Sequence, residues 1–227
     1  MKAQDWLYIG LAALGGLLIV VKKSLPDSNY IIQKLQDAPD SLLPVRPTTT
    51  DLKVMGYADY IWQNALEFNI DPSIIAAIIE IESSGIPTAI RQEPAIKDYS
   101  VGLMQVLTGT AGFVKSKYPQ IAYMGDPKEL NNPSVNIEVG TAYLRYQLNR
   151  YLANPVIKPI SDMVASYNAG AARQVDFSYV NSKGSTIVQT YVDKVVDKAY
   201  RYKFFFNYLY TFDFYMTKFP PSFWSFR

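Results

Sequence analysis

"DPSIIAAIIEIESSG", residues 71–85, decides the fold. Asp71 followed by Pro72 marks a helix start: the carboxylate can accept from the free amides of the first turn, and Pro tolerates the first helical position. Advancing about 100° per residue, Ile74, Ile75, Ile78 and Ile79 form one apolar stripe that should pack inward. Glu82 falls near the middle of that stripe. Glu80 points to the opposite face, where it reads as a solvated helix charge. Two outcomes are open for Glu82. If the helix persists, the carboxyl is forced among apolar neighbours. Lost hydration then raises its pKa, and the protonated form can serve as a general acid. If the helix frays first, the side chain escapes to water.

Composition narrows the chemistry. The 227 residues are 49% hydrophobic and 19% charged, with a net charge of +2, enough for one sizeable core and further segments. The chain contains no Cys and no His. Disulfides, His/Cys metal sites and Ser-His or Cys-His nucleophiles are therefore excluded. Acid–base chemistry has to come from Asp, Glu, Tyr or Lys. The basic residues form no stripe, so the reading includes no nucleic acid. No Gly-rich phosphate loop is present, and no cofactor or metal is expected.

Four parts follow along the chain. Residues 1–23 hold the uncharged stretch "WLYIGLAALGGLLIVV", Trp6 to Val21, between Asp5 and the pair Lys22 and Lys23. As a helix it covers about 24 Å, slightly short of a hydrocarbon core of about 30 Å. Trp6, Tyr8 and the lysines could complete the span at the interfaces. It is read as a retained transmembrane anchor; a cleaved signal peptide fits less well, because no small-x-small site follows. Residues 24–50 carry Pro26, Pro39, Pro44 and Pro47 and end in "PTTT", a Pro-rich linker with a short helix around Tyr30 to Gln36. Residues 51–202 show helical periodicity with capped starts at Asp71 and Asn132 and a stop at Gly170, and "GLMQVLTGTAGFVKSKY" reads as a helix restart. No stretch alternates as a strand does, so the domain is expected to be mostly α. In residues 203–227 and just before, from Tyr200 on, half of all residues are Phe, Tyr or Trp. Such rings suit a membrane interface or a docking partner, or simply a cap on the core.

Four pieces then stand in order: "IESS" at 81–84, "GLMQ" at 102–105, "NIEVGTAYL" at 136–144 and "SYNAG" at 166–170. Together they resemble the lytic transglycosylase domain related to goose-type lysozyme, over residues 71 to about 200. The resemblance implies a lysozyme-like helical fold and a peptidoglycan glycan strand as substrate. It makes Glu82 the catalytic acid, the residue that the apolar stripe also selects, with Ser83 beside it. It places Gln105 on a sugar's N-acetyl or hydroxyl groups and Met104 as an apolar surface against the sugar. Ser100 corresponds to a serine near the carboxyl, although "DYSVGLMQ" departs from the more usual Gly-Ala-x-Gly before "LMQ". Tyr167 is implied as a second catalytic group, its hydroxyl within hydrogen-bond reach of Glu82, and Asn168 as a sugar contact. Gly140 implies close helix approach.

The chemistry implied is non-hydrolytic cleavage of the bond between N-acetylmuramic acid and N-acetylglucosamine, giving 1,6-anhydro ends. Two rivals stand beside it. One is a hydrolytic muramidase using Glu93 or Asp98 to activate water across a gap of about 6.5–9.5 Å; the bland reading leaves both as loop charges, with Arg91 as local partner. The other is a glycan-binding or structural subunit without activity. An anchored peptidoglycan lyase resembles a bacteriophage virion component, held in a virion membrane with virion proteins as partners and acting in the periplasm. A bacterial inner-membrane enzyme facing the periplasm is the alternative. Lys22 and Lys23 complicate both, because positive charge tends to stay on the cytoplasmic side.

Overall fold

The computed structural model describes residues 28–43, 45–152, 159–170, 173–175, 178–180 and 187–210. Helix α4, Pro72–Ser83, is its axis. The Asp71 carboxylate accepts from the Ser73 amide at 2.8 Å, and Ser84, left-handed at φ 53°, closes the far end. The helix thus runs through Glu82 without fraying. Every residue from Pro72 to Ile79 is buried. A helix apolar on all sides belongs in the middle of a core, and α4 is wrapped by α2 (Thr49–Met55), α3 (Ala58–Phe68) and the long C-terminal α8 (Ile187–Leu209). Helices α6 (Pro133–Leu152) and α7 (Pro159–Ala169) pack on each other and reach α3 and α8 respectively.

This wrapping corrects the solvated Glu80. Its side chain is only 10% exposed, because α8 covers the face opposite the isoleucine stripe. Lys198 donates to its Oε1, and Arg201 donates to its Oε2 at 2.9 Å. Arg201 also lies 2.8 Å from the buried Asp51. The same Asp51 forms a capping box with Thr48, accepting from the Thr48 amide at 2.7 Å while its own amide donates to Thr48 Oγ1. The "PTTT" that ends the supposed linker is therefore the start of α2.

The linker itself is also corrected over its described part. Helix α1, Ser28–Gln36, covers the short helix expected there, but Ile31, Leu35, Ala38 and Leu43 are all in the core and α1 touches α2, α3 and α8. Ile31 and Leu35 share one face of α1, Ala38 and Leu43 follow in the turn after it, and all four join the core, so 28–43 is part of the folded body. At the other end, α8 runs past residue 202. Phe205 and Phe206 are fully buried, and Tyr210 stacks on Trp62 with centroids 4.3 Å apart. In the described part of the aromatic tail Phe205 and Phe206 are core, Tyr208, Leu209 and Tyr210 pack against it and Phe204 is exposed; residues 211–227 lie outside the described residues. So does the Trp6–Val21 anchor. Among the described residues no helix is long and apolar enough to cross a membrane.

The domain is mostly helical, as expected, yet strands occur where none were read. After α4 comes a three-stranded antiparallel sheet of β1 (Ile90–Glu93), β2 (Asp98–Val101) and β3 (Val106–Leu107). Arg91 pairs with Ser100 and Glu93 with Asp98. A small hairpin of β4 (Arg173–Val175) and β5 (Ser178–Val180) follows α7. Strands of two to four residues are too short to print an alternation, and cross-strand pairing holds them. Helix α5, Thr108–Lys117, starts at Thr108 and not at Gly102, so "GLMQ" is a loop.

Glu80→Gln removes the charge that Lys198 and Arg201 face. It is expected to lower the unfolding free energy by about 1–3 kcal/mol, read from urea unfolding followed by circular dichroism. A variant as stable as the parent would show that the α4–α8 seam does not depend on this network.

Candidate active site

The end of α4, the β1–β2 hairpin, the loop before α5 and the end of α7 enclose a cleft of about 340 Å³. Glu82 stands in its wall with its side chain 8% exposed. Tyr191, on the buried face of α8, donates its hydroxyl to Glu82 Oε1 at 2.8 Å. Arg91 Nη1 lies 3.9 Å from Oε2. Burial pushes the Glu82 pKa up; the Tyr191 hydrogen bond and the Arg91 charge pull against it, nearby Glu93 adds to the rise, and the net direction is upward. The upward shift reasoned from the apolar stripe thus has a structural cause.

Glu93 shares the cleft and goes the other way. It accepts from Arg91 Nε at 2.6 Å and from Ser100 Oγ at 3.1 Å, and these contacts, the Arg91 one foremost, hold its pKa below the usual carboxylate value. Across the same opening one carboxyl is raised in pKa and another lowered. Asp98 has a different task. It accepts from the Thr108 hydroxyl and from the Gly109 amide at 3.0 Å, capping α5, and it does not line the cleft. Burial raises its pKa, but the hydrogen bonds from Thr108, Tyr99 and Gly109 outweigh this and lower it. That corrects Asp98 as a base for water.

The loop 101–105 is clamped from inside the core. Asn136 at the start of α6 donates to the carbonyls of Val101 (2.8 Å) and Leu130 (2.9 Å), and accepts from the Met104 amide at 2.8 Å. Gly102 has φ +79°, and a Cβ there would collide with the Leu130 carbonyl and the Asn136 amide. Gln105, also left-handed at φ 46°, donates both amide hydrogens to backbone, to Ala89 and Gly102 carbonyls at 3.0 Å each. What Gln105 offers the cleft it lines is therefore its Oε1 acceptor, suited to an N–H or O–H of a sugar.

Two residues expected on substrate are elsewhere. Met104 is fully buried, its sulfur packed where Gly140 leaves space, so the close approach implied for Gly140 is made by this side chain. Ser83 is buried too and donates to the Leu103 carbonyl at 2.8 Å, tying α4 to the loop. Ser100 and Asn168 do line the cleft, Ser100 with its proton turned to Glu93. Tyr167 lines it as well, but its hydroxyl donates to the Met104 carbonyl at 2.8 Å. Tyr167 is expected within reach of Glu82 directly or through one water; the direct hydrogen bond to Glu82 is made by Tyr191. Burial, and after it the Glu82 charge, raises both tyrosine pKa values well above the ordinary phenol. Sequence reasoning missed Tyr191 and Asn136. The first could have been found as the polar-tipped member of the stripe Val188, Tyr191, Val192, Val195, Ala199; the second is an amide within an apolar helix start. Among the described residues no group of three or more Asp, Glu, His or Cys is placed to hold a metal ion.

The Glu82 shift fixes a sign for stability. With its folded pKa above its unfolded one, the folded state holds the proton longer, so stability declines as pH rises from about 4.5 through the raised value. Glu82→Gln lacks this loss. The melting temperature of the variant minus that of the parent should rise with pH across that window, by calorimetry. In Tyr191→Phe the carboxylate loses a donor, and a carboxyl NMR titration should place the Glu82 pKa higher still.

Known proteins resemble this chain in sequence and in fold. A membrane-bound lytic murein transglycosylase C of Actinobacillus pleuropneumoniae serotype 5b is 35% identical over 126 residues, 53% of this chain and 32% of its own length. The protein of the same name from Photorhabdus laumondii is 34% identical over 152 residues, 63% of this chain and 39% of its own. The chain thus spans about a third of the length of the curated relatives it matches. The 70-kDa soluble lytic transglycosylase of Escherichia coli shares the fold, with a TM-score of 0.52 at 21% identity over 79% of this chain and 30% of that one. Its complex with bulgecin A gives 0.54 at 22% identity, over the same shares. Residues 59–187, more than half of the sequence, match the transglycosylase SLT domain, and the chain belongs to that family.

Proposed function

We propose that this chain is a peptidoglycan lytic transglycosylase that cleaves the bond between N-acetylmuramic acid and N-acetylglucosamine without water. The observation that carries it is the Glu82 carboxyl, buried and raised in pKa at an open cleft, with Tyr191 fixing its orientation. Protonated Glu82 gives its proton to the glycosidic oxygen as the bond breaks. The acetamido group of the substrate stabilises the cationic sugar carbon. Glu82, now ionised, takes the proton from the muramic 6-hydroxyl, whose oxygen closes on the anomeric carbon to form the 1,6-anhydro ring. Each proton is accounted for by one carboxyl acting twice. Tyr191 and Arg91 stabilise the ionised stage, and the Gln105 oxygen and Asn168 hold the sugar. The names of the relatives support this reading.

A hydrolytic outcome has one observation in its favour: Glu93, ionised, shares the cleft. Its Oε1 already accepts from both Arg91 and Ser100, which lowers its basicity and favours the lyase. The location is likewise proposed: Trp6–Val21 supports a membrane anchor, with the domain acting on the periplasmic wall, and a virion role in local wall opening for phage genome delivery fits an anchored lyase.

Mass spectrometry of digested peptidoglycan decides between the two reactions. The parent should leave anhydro ends; Glu82→Gln should lose about 10²-fold or more of that activity with its circular dichroism intact, and Glu93→Gln should still give anhydro ends. Reducing ends from the parent, lost in Glu93→Gln, would establish hydrolysis. For the anchor, deletion of residues 1–23 should move the chain from the membrane fraction to the supernatant with its wall lysis kept.

A further inference from the structure

The exposed face of α8 changes character along its length. Toward the end that reaches the cleft it presents Asp193, Lys194 and Asp197. Continuing at spacings of three or four residues, the same face carries Tyr200, Phe204 and Tyr208. Tyr200 and Phe204 are 53% and 42% exposed, and Tyr208 is partly buried. The core is filled by other rings of this helix, Tyr202, Phe205 and Phe206. Helix α1 extends the stripe. Lys34 holds its ammonium over the Tyr208 ring, 5.5 Å from the centroid, and Tyr30, one turn before Lys34, is 57% exposed. Aromatic rings, two of three types with a polar tip, beside a long cationic side chain are the groups that settle at the boundary of lipid and water.

We propose that this stripe, Tyr30 and Lys34 of α1 with Tyr200, Phe204 and Tyr208 of α8, rests on the headgroup layer of the membrane. The inference rests on the anchor proposed for Trp6–Val21 and adds the face of the folded body that meets the lipid. Chain length selects the occupant. Only residues 24–27 separate Lys23 from α1, and the five Cα–Cα steps from 23 to 28 span at most about 18 Å. Helix α1 does not swing out to extend that reach, because Ile31 and Leu35 are buried and it packs on α2, α3 and α8. An anchor that ends at Lys23 therefore holds Tyr30 and the stripe beside the bilayer, where lipid is the partner always at hand. Tyr191, the donor to Glu82, lies about 14–26 Å back along α8 from the aromatic residues. The charged half of the exposed face lies between them. Single exposed rings are ordinary on a protein surface; a run of three on one helix, joined through Lys34 to the helix that the tether enters, is what that explanation leaves over.

The chain has no cysteine, so single nitroxide labels can be placed on the full-length protein. Phe204→Cys marks the stripe. Ile90→Cys marks β1 at the cleft end, where the side chain is 61% exposed. Each labelled chain is inserted into vesicles of phosphatidylethanolamine and phosphatidylglycerol, and electron paramagnetic resonance reads its accessibility to oxygen and to a water-soluble nickel chelate. The ratio of oxygen to nickel accessibility should be several-fold higher at 204 than at 90, placing 204 within about 10 Å of the phosphates. Lengthening the tether by about twenty Gly and Ser residues after Lys23 should leave the reading at 204 unchanged, because the rings themselves hold the surface. A label at 204 that reads as aqueous in an inserted chain, with either tether, overturns the proposal and leaves the stripe to a protein partner. Flotation of the vesicles keeps the two readings apart: a chain that never enters them fails the anchor and this face together, whereas an inserted chain with an aqueous label fails the face alone.

Discussion

The carboxyl groups at the end of α4 face the same constraint from opposite sides. The helix is so apolar that it has to run through the core, and its last turn carries Glu80 and Glu82 into that core with it. Both are met by a single helix more than a hundred residues later in the chain. Lys198 and Arg201 of α8 neutralise Glu80, and Tyr191 of the same helix donates to Glu82. The chemistry of the answer differs. Cations keep Glu80 paired in place, which fixes the seam. A neutral hydroxyl orients Glu82 without removing the desolvation that raises its pKa. Stability and reactivity are thus divided between adjacent turns of one helix pair.

The loop 101–105 shows a second division. Its backbone is held by Asn136, by the hydroxyls of Ser83 and Tyr167, and by the absence of a Cβ at Gly102 and Gly140. All of these act from the core side. A side chain expected to touch sugar, Met104, is the plug that fills the space over Gly140. Only Gln105, in an unfavourable left-handed conformation, turns from this clamp to the cleft. Such a conformation costs about 1 kcal/mol or more and persists because both amide hydrogens are taken by backbone carbonyls.

What the sequence made legible follows the same physics. The caps at Asp71 and Asn132 and the isoleucine period located α4 and α6, and the stripe selected Glu82 over Glu80 without reference to any partner. Failures came where a partner decided the outcome. Glu80 was read as solvated because helix periodicity sees one element, and α8 covers its other face. Tyr167 and Tyr191 have equal claims on Glu82 by residue type; only the packing of α8 on α4 gives the bond to Tyr191. Residues 28–43 hold Pro39 in a stretch whose four prolines suggest a linker, while Ile31, Leu35 and Leu43 are apolar anchors, and α1 is received by α2, α3 and α8. Strands of two to four residues, defined by pairing, had no period of their own to show.

Arg91 links the two carboxyls of the cleft, and the distances decide how it acts. At 2.6 Å from Glu93 it forms a charge-assisted hydrogen bond; at 3.9 Å from Glu82 it contributes only field. Its side chain is 58% exposed, so that field is screened by solvent. A closer guanidinium would pull the Glu82 pKa down, and none at all would leave the ionised stage of the proposed reaction with Tyr191 alone. Glu93 holds the guanidinium on the hairpin at an intermediate reach. A glycan strand that covered the hairpin would exclude water from this pair and strengthen the field on Glu82 at the stage when, in the proposed reaction, the carboxylate takes the second proton.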